Sequence, residues 1–200
     1  MAGIGLYGVY YAKATLADGV VTGYGTVKDM GKAISASWEP AEVGGNPLYA
    51  NNGIAERDAA AGGGGTLTLT LDHLKQAAAE DLFGLTAATT VISGVTGSGY
   101  DYTGNEISAP VGVGFIKWNQ EDNDRNHYQA LVFAYALFSP PSESFQTMGE
   151  SVEWQTPEIS GTVSGSTVTG TFAWRAMRDF PDQASAKAFI DAFFAAPPSP

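Results

Sequence analysis

Short stretches rich in β-branched and aromatic residues recur along most of the chain, and turn residues separate them. The twenty-five glycines are spread out rather than gathered in one linker. Stretches of this kind, separated by turn residues, predict a mainly β protein. Side chains on each strand point alternately to its two faces. The predicted strands lie near Ile4–Tyr11, Val20–Val27, Lys32–Trp38, Thr66–Leu71, Val111–Trp118, Tyr128–Phe138, Phe145–Gln155 and Ser166–Ala173.

Two segments depart from this pattern and predict helices. Asp72 is the expected N-cap of the first, in HLKQAAAEDLFG, which is expected to end at Gly84. The second follows Asp182, in QASAKAFIDAFFAA, and its apolar residues recur at helical spacing, so it should pack on the sheet. The apolar stripes are Leu74, Ala77, Ala78 and Leu82 in the first helix, and Ala186, Phe189, Ile190 and Phe193 in the second.

Charge and cysteine content exclude several classes of protein. Ten basic residues face twenty-one acidic ones, for a formal charge of −11. Binding to nucleic acid by phosphate neutralisation needs clustered Lys and Arg, so it is not expected. The chain has no cysteine, which removes disulfides, thiolate metal sites and cysteine nucleophiles. No signal peptide is recognisable and the longest apolar run, ALVFAYALF, is too short to span a bilayer, so a soluble protein is expected.

Motifs that would carry catalysis or ligand binding are incomplete. GYGTVKDMGKA resembles a phosphate-binding loop, but Ala33 stands where the magnesium ligand belongs and a strand follows instead of a helix. DNDRNH matches a calcium loop at its first, third and fifth positions but not at its sixth and twelfth, so a hairpin turn is expected there. His73 and His127 lie in different elements without metalloprotease spacing. The sequence therefore predicts no enzyme, no metal and no cofactor.

The connection over residues 39–65 is long for a compact domain. Loops above about 12–15 residues are usually functional or disordered. Apolar Leu48, Tyr49 and Ile54 stand among polar residues here, and such side chains gain stability only against a partner. We therefore expect this loop to dock onto another subunit, with Leu48, Tyr49, Ile54 and Arg57 as candidate contact residues.

The strand predicted over Phe145–Gln155 has one apolar and one polar face. Met148, Val152 and Trp154 share one parity, whereas Ser151, Glu153 and Gln155 share the other. A polar, carboxylate-bearing face fits a solvated surface, a sugar-binding platform or the wall of a water-filled passage. The residues alone leave these three open. Pro157 cannot donate to a β ladder, so it should mark a bulge, an edge or a strand end.

A series of blocks in the sequence resembles the major tail protein, or tail tube protein, of long non-contractile-tailed bacteriophages. The C-terminal blocks are HYQALVFAYALFSPPSESFQTMGESVEWQTPEISGTV and TGTFAWRAMRDFPDQASAKAFIDAFF. The N-terminal blocks are GKAISASWEPAE, LYANNGIAERD and GGGTLTLTLDHL, the last placed before a short helix. The resemblance rests on the order and spacing of the blocks and covers most of the chain.

The resemblance implies a mainly β fold with flanking helices (α+β), built as a β-sandwich or half-barrel that completes a β-barrel tube when six subunits form a ring. It implies one tail tube domain over residues 1–200, with the docking loop at about 39–65 and a short extended tail at 197–200. An appended immunoglobulin-like domain, which some relatives have, is not expected. Glu153, Gln155 and Ser151 are the candidate lumen-facing residues, because carboxylates on the wall repel DNA phosphate.

The function implied by the resemblance is structural. Hexameric rings stack into the tail tube that conducts double-stranded DNA during ejection, and the DNA passes without lasting binding. The expected partners are other copies of the chain, the tape measure protein, the tail terminator and the distal tail or baseplate proteins, with no membrane. The expected location is the tail of a virion assembled in the bacterial cytoplasm, in an infective phage or a domesticated tail particle such as a gene transfer agent.

The alternative is a monomeric carbohydrate-binding β-sandwich, suggested by the aromatic content. Such a module needs two or three exposed aromatic rings on one face. Core packing is instead the expected role of the four tryptophans, Trp38, Trp118, Trp154 and Trp174.

Overall fold

The computed structural model describes residues 2–41, 47–50, 53–57, 63–120, 126–141, 147, 156–165 and 173–195. Within these residues the protein is mainly β with two helices, as the sequence predicted. Neither described helix has the length and apolar content needed to cross a bilayer. The elements are β1 (Ala2–Ala17), β2 (Val20–Tyr24), β3 (Lys28–Gly31), β4 (Ala33–Pro40), β5 (Pro47–Ala50), β6 (Gly53–Arg57), β7 (Gly64–Leu71), α1 (Gln76–Phe83), β8 (Thr86–Ile92), β9 (Val95–Asp101), β10 (Val111–Gln120), β11 (Asn126–Phe138), β12 (Glu158–Ser164), β13 (Arg175–Phe180) and α2 (Gln183–Ala195).

Nine strands form one antiparallel sheet. Its order is β2-β1-β10-β11-β12-β7-β4, with β13 paired to β11 and β3 paired to β1. β10 and β11 pair antiparallel up to Gln120 and Asn126. The hairpin turn expected between them lies on residues 121–125, outside the described residues. Two smaller sheets, β5–β6 and β8–β9, each contain two strands.

The sheet curls because one stretch of chain joins its two ends. β3 pairs with β1 and β4 pairs with β7, yet only Lys32 separates β3 from β4. The backbone of Lys32 is held by Asp72, whose carboxylate accepts from the Lys32 amide at 2.9 Å and whose amide donates to the Lys32 carbonyl at 2.9 Å. Gly31 has φ 153°, and a Cβ there would collide with the carbonyl oxygen of His73, so glycine is required.

The two faces of the curled sheet carry two apolar clusters. The inner cluster fills the curl and includes side chains of β1, β7, β10, β11 and β12 together with α1. The outer cluster lies between the sheet and α2, and includes Ala130, Val132 and Ile190. Because β11 is buried on both faces, its sequence reads as a continuous apolar run rather than an alternating one.

Helix α1 begins later than predicted. It starts at Gln76, and Lys75 occupies the N-cap without a side-chain hydrogen bond, so the prediction of Asp72 as cap is wrong. The Asp72 carboxylate is engaged instead by the amides of Lys32 and His73. The predicted end is confirmed, since Gly84 is left-handed with φ 69°. The buried stripe is Ala78, Ala79, Leu82 and Phe83, whereas Ala77 is exposed and Leu74 is half-buried.

Asp81 ties α1 to the neighbouring strands. Its carboxylate accepts hydrogen bonds from the Tyr11 hydroxyl at 2.9 Å and the Lys28 ammonium at 2.6 Å, and Lys13 lies 3.7 Å away. Burial by itself would raise the pKa of Asp81, but the hydrogen bonds from Lys28 and Tyr11 and the charges of Lys28 and Lys13 outweigh it and lower the pKa. Burial, with the bond to Asp81, raises the pKa of Tyr11.

Helix α2 matches its prediction closely. Asp182 caps it by accepting from the Ser185 amide at 2.8 Å and hydroxyl at 2.9 Å, and these bonds lower the pKa of Asp182. Ala186 and Ile190 are buried as expected, Phe189 and Phe193 are half-buried against the same cluster, and buried Phe194 was not predicted.

Two glycines of β10 allow α2 to lie on the strand backbone. A Cβ at Gly114 would come within 2.8 Å of Ile190, and one at Gly112 would collide with the Phe194 ring. At these two residues the helix therefore packs directly against the strand backbone.

Six of the eight predicted strands correspond to β1, β2, β4, β7, β10 and β11. The Phe145–Gln155 strand lies outside the described residues, apart from position 147, which is in no strand. The Ser166–Ala173 strand also falls outside them, except Ala173, which is not in a strand. The missed β12 starts just after Pro157, so the expectation that this proline marks a strand end is confirmed.

We predict that Ile190→Ala lowers the free energy of unfolding by about 2–5 kcal/mol, because it leaves a cavity over Gly114. The measurement is urea denaturation of the unassembled protein. Ala192→Ser, on the exposed side of α2, is the control and should change stability by less than about 0.5 kcal/mol. Equal effects of the two substitutions would contradict the placement of α2.

We predict that Asp81→Asn costs about 1 kcal/mol at pH 7. A carboxylate with a lowered folded-state pKa contributes stability above its unfolded pKa, about 3.9, and loses it as the pH falls through the folded value. The stability difference between the two proteins should therefore shrink on acidification. Thermal melts at pH 7 and at about pH 3 measure it; a difference independent of pH would contradict the ionic anchor.

Candidate functional site: a polar face on three strands

The neighbouring strands β4, β7 and β12 separate apolar from polar side chains. On β7, Leu67, Leu69 and Leu71 are fully buried, while the threonines between them point away from the core. The same alternation on β12 buries Ile159 and Val163. The outward side chains, called the polar face below, are Ser35, Ser37 and Glu39 on β4, Thr66, Thr68 and Thr70 on β7, and Glu158, Ser160 and Thr162 on β12.

Strand register arranges the polar face in three rows across the sheet. The rows are Ser35–Thr70–Glu158, Ser37–Thr68–Ser160 and Glu39–Thr66–Thr162. The Ser35 hydroxyl donates to Thr70 at 2.9 Å, and the Thr68 and Ser160 hydroxyls lie 3.5 Å apart. Rows and strands are spaced by the sheet itself, at roughly 6.6 Å along a strand and 4.8 Å between strands. The result is a regular lattice of hydroxyl groups.

The charge of the polar face is entirely negative. None of its nine side chains is Lys, Arg or His, and its two carboxylates, Glu39 and Glu158, occupy opposite corners of the lattice. A serine or threonine nucleophile needs an adjacent base, and the nine side chains offer no histidine or lysine for that role. Hydroxyls and carboxylates hold water, the carboxylates repel anions, and the nine side chains include no cation with which to neutralise phosphate.

The predicted lumen-facing residues, Ser151, Glu153 and Gln155, lie outside the described residues, so their placement stays a prediction. The polar face was not predicted as a site, although β4 and β7 were predicted as strands. The alternating TLTLTL of β7 was the visible signal. What sequence reasoning lacked was the pairing of β7 with β4 and β12.

The predicted docking loop contains a small sheet. The backbones of Leu48 and Tyr49 lie in β5, and those of Ile54 and Arg57 lie in β6. The two strands pair through contacts such as Tyr49 with Ile54. The contact of these residues with another subunit stays a prediction.

The described histidines and tryptophans form no separate site. His73 Nδ1 lies 2.9 Å from Asp72, and His127 Nε2 lies 3.9 Å from Asp179. Across the described part of the chain, no three histidines and carboxylates gather closely enough to hold a metal ion. Trp38 and Trp174, with ring centroids 6.0 Å apart, pack against the inner cluster, which confirms their core role. Trp118 is half-buried on β10, and Trp154 lies outside the described residues.

Comparison of the chain with protein-family models finds no match, and comparison with curated proteins finds none either. The resemblance to tail tube proteins therefore stays a prediction.

We predict that the polar face contributes little to monomer stability. Thr68→Val should change the free energy of unfolding by less than about 0.5 kcal/mol, because the hydroxyl points away from the core. Leu69→Ala, one residue along, should cost about 2–5 kcal/mol, because its side chain is fully buried. Urea denaturation of both variants measures the contrast. A large loss from Thr68→Val would show that this face is covered within the monomer.

Proposed function

We propose that this protein is the structural subunit of a bacteriophage-type tail tube, and that its polar face lines the passage for double-stranded DNA. The observation that carries the proposal is the cation-free polar face, a lattice of seven hydroxyls and two carboxylates. The order of sequence blocks described above supports it independently.

A DNA passage must be wet but must not retain the phosphate backbone. Each phosphate neutralised by Lys or Arg adds a salt-dependent increment to binding, so a cation-free wall leaves DNA free to slide. Hydroxyl groups keep the wall hydrated, and the carboxylates of Glu39 and Glu158 repel phosphate. The three leucines of β7 behind the face pack in the inner cluster, which makes the wall rigid.

The position of β4 suits a sheet that continues into a second copy. In the described part of the chain, β4 pairs with β7 on one side and ends the sheet on the other. An unpaired edge presents N–H and C=O groups that bond readily to a strand of another chain. Pairing at this edge would extend the polar face around a ring of subunits.

The proposal includes the partners that the resemblance implies. Copies of the chain form stacked hexameric rings, and the tube joins the tape measure protein, the tail terminator and the distal tail or baseplate proteins. The tube belongs to a virion tail assembled in the bacterial cytoplasm. The carbohydrate-binding alternative gains nothing from Trp38 and Trp174, because both pack against the inner cluster instead of forming an exposed platform.

Negative-stain microscopy of the purified protein, with sedimentation over a range of concentrations, tests the assembly. We expect rings or tubes with a central channel. A protein that stays monomeric at every concentration would overturn the proposal.

We predict that Ser160→Lys leaves tube assembly intact but slows DNA ejection, because it places a cation on the polar face of every subunit. Thr22→Lys is the matched control, since Thr22 is also an exposed hydroxyl residue on a strand but lies on β2. Dye fluorescence follows ejection from purified particles at low and high salt. We expect a delay for Ser160→Lys that is largest at low salt, and none for Thr22→Lys.

If Ser160→Lys particles eject DNA at the normal rate in low salt, the polar face does not line the passage. Glu153→Lys in the same assay tests the sequence-based lumen assignment. Failure of that variant to assemble would place Glu153 in a subunit contact instead.

A further inference from the structure

The hairpin β8–β9, called the arm below, stands apart from the rest of the fold. Its turn residues Ser93 and Gly94 have φ of 52° and 81°, the geometry of a tight two-residue hairpin. The arm forms its own two-stranded sheet, and neither apolar cluster contains any of those arm residues whose side chains the structure describes. At its base, the Gln76 side chain of α1 donates to the Gly99 carbonyl at 3.1 Å. A two-stranded ribbon without cover is at best marginally stable in water.

The surface of the arm is unusual for an exposed hairpin. Residues 86–100 include no charged side chain, although the chain as a whole carries −11. Val91 and Val95, near the tip, are 63% and 72% exposed. Natural proteins protect free strand edges with charges, lysine above all, or with proline, and residues 86–100 have neither.

One face of the arm contains a hollow of about 380 Å³. Strand register places Ala88 opposite Gly99, and Gly97 is two residues from Gly99 on the same face, so small residues occupy the middle of this face. Val95 and Tyr100 also line the hollow, and Asp101, at the base of the arm, is the charged residue of its lining. A Cβ added at Gly97 or Gly99 would meet no atom within 4 Å, so no side chain of the arm fills this space.

The distribution of charge over the chain indicates which partner fills this hollow. Copies of a chain with charge −11 repel one another, and the cores of protein interfaces are depleted in charged residues. The middle and tip of the arm, which carry no charge, are therefore where two copies approach with the least electrostatic repulsion. The chain itself offers exposed apolar side chains away from the arm, Leu16, Ile34 and Met177 among them, at 39%, 53% and 43% exposure. The seven-residue strands, roughly 23 Å long, give the arm the reach to meet them.

We propose that the arm is a docking element that seats on a second copy of this chain, with an apolar side chain of that copy entering the hollow. The proposal rests on the proposed function, since it names a surface through which the subunits of the tube meet. The contact is heterologous: the arm of one copy meets a different surface of the next. Repetition of such contacts builds rings or filaments.

The test fills the hollow without harming the monomer. Gly97→Val and Gly99→Val each add a branched side chain into open space, and valine suits a strand better than glycine does. We expect an unchanged or higher melting temperature for the unassembled protein. We expect the concentration needed for assembly, measured by sedimentation, to rise at least about tenfold, which corresponds to about 1.4 kcal/mol per contact. Gly23→Val on β2 is the matched control, because its added side chain also meets no atom within 4 Å.

The outcomes separate this proposal from the proposed function. Loss of assembly in the two arm variants with normal assembly of Gly23→Val supports the arm contact. Normal assembly of the arm variants overturns it and leaves the tube intact, and equal loss in all three variants also overturns it. Arm-dependent open filaments without a central channel would support the arm contact and overturn the tube. A wild-type protein that never self-associates would overturn both.

Discussion

The rest of the structure depends on the corner at Gly31 and Lys32. There the chain leaves the end of the sheet that contains β1 and joins the end that contains β7. Two hydrogen bonds between Asp72 and the Lys32 backbone hold the corner: the Asp72 carboxylate accepts from the Lys32 amide, and the Asp72 amide donates to the Lys32 carbonyl. The Lys75 amide donates to the Met30 carbonyl just before the corner at 3.2 Å, which brings α1 against the curl. Because the corner joins both ends of the sheet, its inner face becomes an enclosed core instead of an open surface.

Enclosure of that core determines what the outer surfaces can be. On β4, β7 and β12 the side chains on one face pack in the inner cluster, so the alternate side chains on the other face contact water. These alternate side chains are hydroxyls and carboxylates. On β10 and β11 both parities are buried, because α2 covers the outer face and the glycines of β10 let it approach the backbone. The same sheet thus offers a wet face in one half and a covered face in the other.

The polar face and the arm differ in ways that suit two different roles. The polar face is backed by buried leucines, carries negative charge and remains hydrated, which fits a rigid wall beside moving phosphates. The described side chains of the arm belong to neither apolar cluster, residues 86–100 carry no charge, and a hollow lies on one side, which fits contact with another protein surface. The proposed arm contact and the proposed DNA passage therefore use separate parts of the chain, so a substitution in the arm need not disturb the polar face.

The sequence alone determined the features that depend on local periodicity and end chemistry. The alternation in β7, the stripe and Asp182 cap of α2, and the stop of α1 at Gly84 are all readable because neighbouring residues produce them. Tertiary structure decided the rest. Asp72 was predicted to cap a helix but instead holds the corner. Its partner, the Lys32 backbone, is forty residues away in the sequence, so no local pattern could reveal the contact. Strand β13 has a weak local signal and forms through pairing with β11, and the polar face exists only because β4, β7 and β12 lie side by side. Pairing between distant strands leaves no trace in a local pattern, so only the folded chain shows it.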